Sequence, residues 1–464
     1  MKNKMKRLIG DKRFYIMVLS VAIPIMIQNG ITNFVGLLDN IMVGQVGTEQ
    51  MTGVAIVNQL IFVFNLCIFG GISGVGIFGT QFFGNQNFEG LRNTFRFKVL
   101  LCAFFVVLGI GIFSISGTSL IKLYLHKGSD SGDLGLALQY GKNYLWIMLV
   151  GLLPYAATQV YASTLRETGE TVLPMKAGIA AVLVNLVFNY ILIFGKFGAP
   201  VLGVEGAAIA TVISRYVEAG ITIIWTHRHK VRNQFIVGAY RTFRIPGTLV
   251  KHIIIRGTPL MVNEALWASG MAIMTQCYSV RGLSVIASIN ISSTISNVFN
   301  IVFIAFGSAI SIIVGQLLGA GKMEEAKDTD RKLIFFSVIS CVFVGMIMAM
   351  IAPFFPKLYN TTEEVKDLAR NFIIIAALCM PIYAFMHACY FTLRSGGKTV
   401  ITFIFDSCFV WVASIPLAFC LTHFTDWNIV LIYLCCQLLE IIKCIIGFVL
   451  VKKGVWIHNI VVED

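Results

Sequence analysis

The sequence predicts an all-α polytopic membrane protein: twelve transmembrane helices in two six-helix lobes that repeat in parallel. Composition is the first reason. The chain is 57% hydrophobic and 13% charged, with a mean hydropathy of +0.81, outside the range of soluble domains. The second is a series of apolar runs centred near residues 26, 64, 108, 150, 184, 214, 264, 302, 345, 380, 410 and 440. Each is long enough to cross roughly 30 Å of hydrocarbon. The third is an internal repeat. With an offset of 235, Pro24 meets Pro259, Val63-Phe64-Asn65 meets Val298-Phe299-Asn300, and Gln81 and Gly84 meet Gln316 and Gly319. With an offset of 228, Tyr155 meets Tyr383, Leu165-Arg166 meets Leu393-Arg394, and Gly169 and Thr171 meet Gly397 and Thr399. A repeated unit in so apolar a chain is the pattern of pseudo-symmetric transporters.

Six spans per half return the second half to the membrane in the orientation of the first, so the repeats are parallel and not inverted. The boundaries predicted are an N-terminal lobe over 1–230, a basic cytoplasmic connector over 231–250 and a C-terminal lobe over 251–464. The net charge of +13 is explained by topology. With a cytoplasmic N-terminus, the inner segments hold 26 of the 36 Lys and Arg residues and the outer segments eight. That bias places both termini inside a plasma membrane, and it leaves no excess charge to assign to a nucleic acid.

The first apolar stretch, FYIMVLSVAIPIMI, follows a basic segment but has no small-residue cleavage site, so it reads as a retained span. The eleven cysteines lie almost entirely inside spans without a paired or metal-ligating pattern, which predicts reduced, structural thiols. Gly396-Gly397-Lys398-Thr399 resembles the end of a phosphate-binding loop, but Thr392 stands where that motif begins with glycine. There is no HExxH and no nucleotide-binding domain. The protein is therefore expected not to be an enzyme, to need no cofactor and no protein partner, and to draw its energy from an ion gradient, Na⁺ or H⁺.

Polar residues within spans are costly and are functional candidates by default. In the first span Gln28, Thr32 and Asp39 form a polar stripe, because Gln28 and Asp39, eleven residues apart, differ by about 20° around a helix. In the seventh span Pro259-Leu-Met-Val-Asn263-Glu264 repeats Pro24-Ile-Met-Ile-Gln28-Asn29, with a carboxylate now in the polar pair. A carboxyl at that depth suits a group that binds and releases a proton or cation. Asn185 and Asn189 project from one face of the fifth span. His387 is the repeat partner of Gln159. Arg215 and Glu218, three apart on the sixth span, are expected to neutralise each other, and Asp406 stands isolated in the eleventh. The glycines of GGISGVGIFG (70–79) allow close helix contact.

Several segments resemble the multidrug and toxic compound extrusion (MATE) family: GLLDNIMVGQVGTEQMTGVA, NLVFNYILIFGKFGAPVLGVEGAAIATVIS, and the paired LRETGET and LRSGGKT. The resemblance covers essentially the whole chain. It implies two six-helix lobes forming a V and export of lipophilic organic cations against Na⁺ or H⁺. Asp39 and Glu264 match the family's acidic positions in the first and seventh helices, which makes them the ion-coupling candidates. Gln28, Thr32, Asn185, Asn189, Tyr383 and His387 are the candidates for contacting cargo. Two departures narrow the mechanism: Tyr383 stands where many bacterial drug exporters carry an acid, and Asn189 where some relatives carry Asp. A flippase for lipid-linked oligosaccharide, from the same wider superfamily, is the alternative. Interior cations would favour that flippase and interior acids a cationic cargo. A channel is disfavoured by the absence of a ring of filter carbonyls.

Overall fold

The computed structural model describes residues 8–125, 133–359 and 361–462. These are helical throughout, without strands. The helices are α1 (Lys12–Gly44), α2 (Thr48–Gly84), α3 (Phe88–Tyr124), α4 (Leu134–Val150), α5 (Leu152–Glu167), α6 (Val172–Phe194) and α7 (Gly203–Arg228) in the first half. In the second half they are α8 (Gly247–Ser279), α9 (Leu283–Gly319), α10 (Met323–Ile351), α11 (Glu363–Ser395), α12 (Thr399–Phe424) and α13 (Ile429–Lys452). The repeat is visible in the helix bounds, since α3 begins at Phe88 and α10 at Met323, an offset of 235.

Among the described residues ten helices are long and apolar enough to cross a bilayer, and the bent α4–α5 pair makes an eleventh. The sequence predicts twelve. The difference is α8, which has the length at 33 residues but whose apolar run is diluted by Pro259, Asn263 and Glu264. The fourth span is not one straight helix either. Its halves meet at Gly151 with a bend of 45°, where glycine is followed by Pro154, a residue that withholds an N–H from the first turn of α5.

Local signals account for several ends. Asp133 caps α4 by accepting from Gly135 N at 2.8 Å and Leu136 N at 3.2 Å. Thr362 caps α11, accepting from Val365 N at 3.4 Å, with Glu363 and Glu364 in the first turn, where acidic side chains suit the helix dipole. Gly195 ends α6 at φ 64°, a left-handed conformation that glycine adopts without cost. Outward faces are apolar: Phe104, Val107 and Ile115 of α3 are 60%, 72% and 87% exposed, which suits a hydrocarbon solvent and not water.

The chain divides into two compact units. Unit 2 is Ile27–Gly79 with Phe88–Val250, and unit 1 is the described chain through Met26, Thr80–Asn87 and everything from Lys251 on. Within unit 1 the first turns of α1 join the core, where Phe14, Val18 and Ile25 pack with Phe306, Ile310 and Trp456. Thr80–Asn87 joins it through a close crossing. A Cβ on Gly84 would collide with the Gln316 carbonyl, and one on Gly319 with the Gln81 carbonyl. These are the same two positions of the repeat meeting each other. Gln81 is fully buried, donates to the carbonyls of Ser395 (2.9 Å) and His458 (3.2 Å), and accepts from Ile460 N (2.8 Å).

Within unit 2 the glycines of 70–79 make room for a charge. Lys98 and Glu167, both buried, form an ion pair at 2.6 and 2.7 Å. Any Cβ on Gly76 or Gly79 would meet the Glu167 carboxylate. The connector packs on α3: Phe235 is fully buried against Phe95, their rings 5.3 Å apart.

Candidate functional site

In unit 2 the structure brings three of the residues singled out by periodicity into one contact. The Asn189 amide donates to Asp39 at 2.5 Å and to Asn185 at 3.1 Å. With the Asn185 amide turned over, that Asn189–Asn185 bond is exchanged for one from the Asn185 nitrogen to the same carboxylate at 2.9 Å. Asn185 and Asn189 are buried and Asp39 half-buried. One turn of α6 thus presents two amides to an acid on α1, four residues apart as helical geometry requires. Asp39 is thereby held by donors and is not a freely wetted helix end.

Gln28 points elsewhere. Its side-chain Oε1 accepts from the Arg166 guanidinium at 3.0 Å, while the Thr32 hydroxyl, exposed, donates to the Gln28 main-chain carbonyl at 2.9 Å. The position of Arg166 in LRETGET, at the inner end of its span, predicts a cation facing the cytoplasm. Arg166 turns inward instead, because a span-end guanidinium with a polar partner one helix away is satisfied without leaving the lobe. Arg215 does not form a direct pair with Glu218. It donates to the Gly151 carbonyl at 3.2 Å and lies 5.2 Å from the Tyr155 ring centre. Arg166 and Arg215 are the two cations whose charge acts on Glu218.

Unit 1 repeats this plan with more charge. Asn263, the counterpart of Gln28, is 2% exposed. Its amide donates to Asp406 at 3.1 Å, and its carbonyl oxygen accepts from the Ser407 hydroxyl at 2.7 Å. Asp406 is therefore not isolated. It sits in a π-helical turn of α12 (Ile404–Cys408), followed by a second over Val410–Ser414. Pro416 accounts for the second of these, since its ring would crowd the carbonyl of Val412 in a regular α-helix. Lys443 of α13, 2% exposed, lies 3.0 Å from Glu440 and 3.6 Å from Asp406. The Glu440-Lys443 spacing inside an apolar span was the signal for this cluster, of the same kind as Arg215-Glu218.

Glu264 stands apart from that pairing. None of the described residues hydrogen-bonds its carboxylate, and its charged neighbours are Arg394 and Asp406. Arg394 is the counterpart of Arg166, is 6% exposed, and leaves its Nε without a partner. The repeated Leu-Arg of the two halves thus marks an arginine turned inward in each lobe. Tyr383 donates to the Gln437 side chain, and its main-chain carbonyl accepts from His387 Nδ1 at 3.1 Å. The His387 ring also rests on Phe303, centroids 4.6 Å apart.

Asp39→Asn keeps one carbonyl oxygen for the amides of Asn189 and Asn185 but removes the charge and the second acceptor oxygen. If Asp39 is the ion-coupling acid that the family resemblance implies, transport by Asp39→Asn should fall to background and lose its dependence on the driving ion. Transport reduced only several-fold, with that dependence unchanged in shape, would remove Asp39 from the coupling candidates.

Comparison with known proteins follows the same lines. The family model described as MatE matches residues 24–191 and 259–420, one segment in each repeat. The chain is 23% identical over 414 residues to a probable multidrug resistance protein NorM of Thermotoga maritima, covering 88% of this chain and 85% of that one. To a probable multidrug resistance protein NorM of Oceanobacillus iheyensis it is 26% identical over 414 residues, covering 87% and 89%. Among solved structures, the outward-facing conformation of a multidrug resistance MATE family transporter of the MOP superfamily superposes with a TM-score of 0.84. It is 18% identical and covers 97% of each chain.

Proposed function

The chain belongs to the MatE family of multidrug transporters, a multi-pass membrane protein, and from that premise we propose that it is a secondary antiporter exporting lipophilic organic cations in exchange for protons. The observation that carries the choice of ion is the state of the acids in unit 1. Lys443 already neutralises Glu440 and lies beside Asp406, so the carboxylate left for a mobile ion is Glu264. A single carboxylate suffices for a proton, whereas a hard metal cation gathers several oxygen ligands. In unit 2 Asp39, held by Asn189 and Asn185, is the counterpart acid. Two acids in separate lobes support exchange when proton and cargo each favour a different conformation, because a ligand shifts an equilibrium only by its differential affinity.

The test imposes the gradients one at a time. Cells preloaded with a fluorescent lipophilic cation should export it when an inward pH gradient is applied at zero Na⁺, and an Na⁺ gradient at uniform pH should give no export. Export on Na⁺ alone would reverse the assignment of the ion. For orientation, Arg244→Cys should react with an impermeant thiol reagent only from the cytoplasmic side and Lys357→Cys only from outside. The opposite pattern would overturn the proposed topology.

The interior arginines favour a second reading, transport of lipid-linked oligosaccharide phosphate. Each, however, has a local counter-group: Arg166 has Gln28 and Glu218, Arg215 has Gly151 and Glu218, and Arg394 has Glu264. Asp39, by contrast, is met by the uncharged amides of Asn189 and Asn185, and an acid without a cation on it supports cationic cargo.

A further inference from the structure

We propose that unit 1 carries a binding site for an anionic phospholipid, in the groove bounded by the first turns of α10, the end of α13 and the segment that follows it. The groove has a volume of about 780 Å³, within the range of roughly 300–1,000 Å³ typical of small-molecule sites. Its rim is basic, with Lys327, Arg331, Lys452 and Lys453, and its floor is apolar, with Phe335, Val338, Phe385 and Phe448. A charged rim over an apolar floor at the end of membrane-crossing helices is complementary to a phosphate headgroup with its acyl chain.

The rim is only partly satisfied by the protein. Lys327 pairs with Glu324 at 2.5 Å, and Lys452 lies 5.7 Å from the Phe448 ring centre. The side chains of Arg331 and Lys453 are exposed and make no hydrogen bond or ion pair with a described residue. The one acid lining the groove, Asp330, is turned away, 1% exposed and accepting from Thr392 at 2.6 Å.

The internal repeat says what Arg331 lacks. Its counterpart in unit 2, at the offset of 235, is Arg96. That guanidinium is buried under the connector and donates to the Ala239 carbonyl (2.8 Å), the Gly238 carbonyl (2.8 Å) and the Asn93 side chain (3.0 Å). In unit 1 the position of Asn93 is taken by Asp328, which pairs with Lys332 at 2.5 Å. No described segment lays carbonyls over Arg331. The fold thus builds the same arginine twice, covers one with three oxygens of its own, and leaves the other facing a groove. Phosphodiester oxygens are the acceptors that fit a guanidinium fork, and the apolar floor selects an ester that brings hydrocarbon with it.

The experiment uses the purified full-length protein in detergent, with bound lipid counted by native mass spectrometry. Phosphatidylglycerol should be retained in preference to phosphatidylcholine of the same chains. Arg331→Gln combined with Lys453→Gln should lower that preference by roughly 10- to 30-fold, the scale for two surface basic contacts. Arg241→Gln with Arg244→Gln, which removes the same charge from the connector, should leave it unchanged. Val338→Trp, which fills the floor without touching the rim, should also lower retention. Glycerol 3-phosphate at equal concentration should not displace the lipid. The proposal is overturned if the wild type holds both lipids equally, if Arg331→Gln with Lys453→Gln keeps the preference, or if glycerol 3-phosphate competes as well as the lipid. The wild-type competition decides the matter even if a variant fails to fold.

Discussion

Glu264→Gln should abolish proton-driven export while leaving expression and melting behaviour near those of the wild type. The substitution keeps size and removes the charge. Two properties make the expected effect large. None of the described residues hydrogen-bonds the Glu264 carboxylate, so no bond is lost when it becomes an amide. Its charged neighbours are one cation and one acid, Arg394 and Asp406, so the lobe is not left with a single unbalanced ion. A carboxyl kept for packing gives the same stability, since removing a buried charge is often neutral or stabilising, but it leaves export intact. The readouts therefore separate the roles: efflux lost at unchanged melting temperature assigns ion exchange to Glu264, and efflux retained retires it.

The second large effect is on stability. Lys98→Met should destabilise the protein by about 3–5 kcal/mol, the usual cost of stripping one partner from a buried ion pair. Glu167 would remain behind, buried against Gly76 and Gly79 with the Lys98 ammonium gone. Lys98→Met combined with Glu167→Leu should recover most of that loss, because two apolar groups leave no orphaned charge. The other half of the chain already shows an uncharged solution. At the repeat positions of Lys98 and Glu167 it carries Leu333 and Ser395, both buried. Thermal unfolding of the single and double variants in detergent checks the point. A double variant as unstable as Lys98→Met would show that the pair itself, and not the orphaned acid, sets the cost.

Much of the architecture was legible in the chain because it is written twice. The offset that aligns Pro24 with Pro259 and Gln81-Gly84 with Gln316-Gly319 anticipates helices of matching bounds, and helical periodicity put Asn185 and Asn189 on one face, though not their contact with Asp39. Residues whose partners lie far away in sequence were not legible. Lys98, Arg166 and Arg394 sit where a span-end cation can either reach the headgroups or turn inward, and only the distant groups Glu167, Gln28 and Glu264 decide which. Asp406 looked isolated because its partners Asn263 and Lys443 are on other helices. The bend at Gly151 and the second π turn, before Pro416, come from single residues inside otherwise uniform apolar runs, and hydropathy does not register them.

The central claim is that cargo and protons are exchanged by one carrier, and exchange is reciprocal: if a proton gradient drives cargo, a cargo gradient must drive protons. Purified protein in proteoliposomes, with a pH dye inside and no initial pH gradient, is given an inward gradient of a lipophilic cation. The account predicts internal alkalinisation as protons leave in exchange, saturable in the cation and absent with Glu264→Gln. Cation entry without any movement of protons would contradict it.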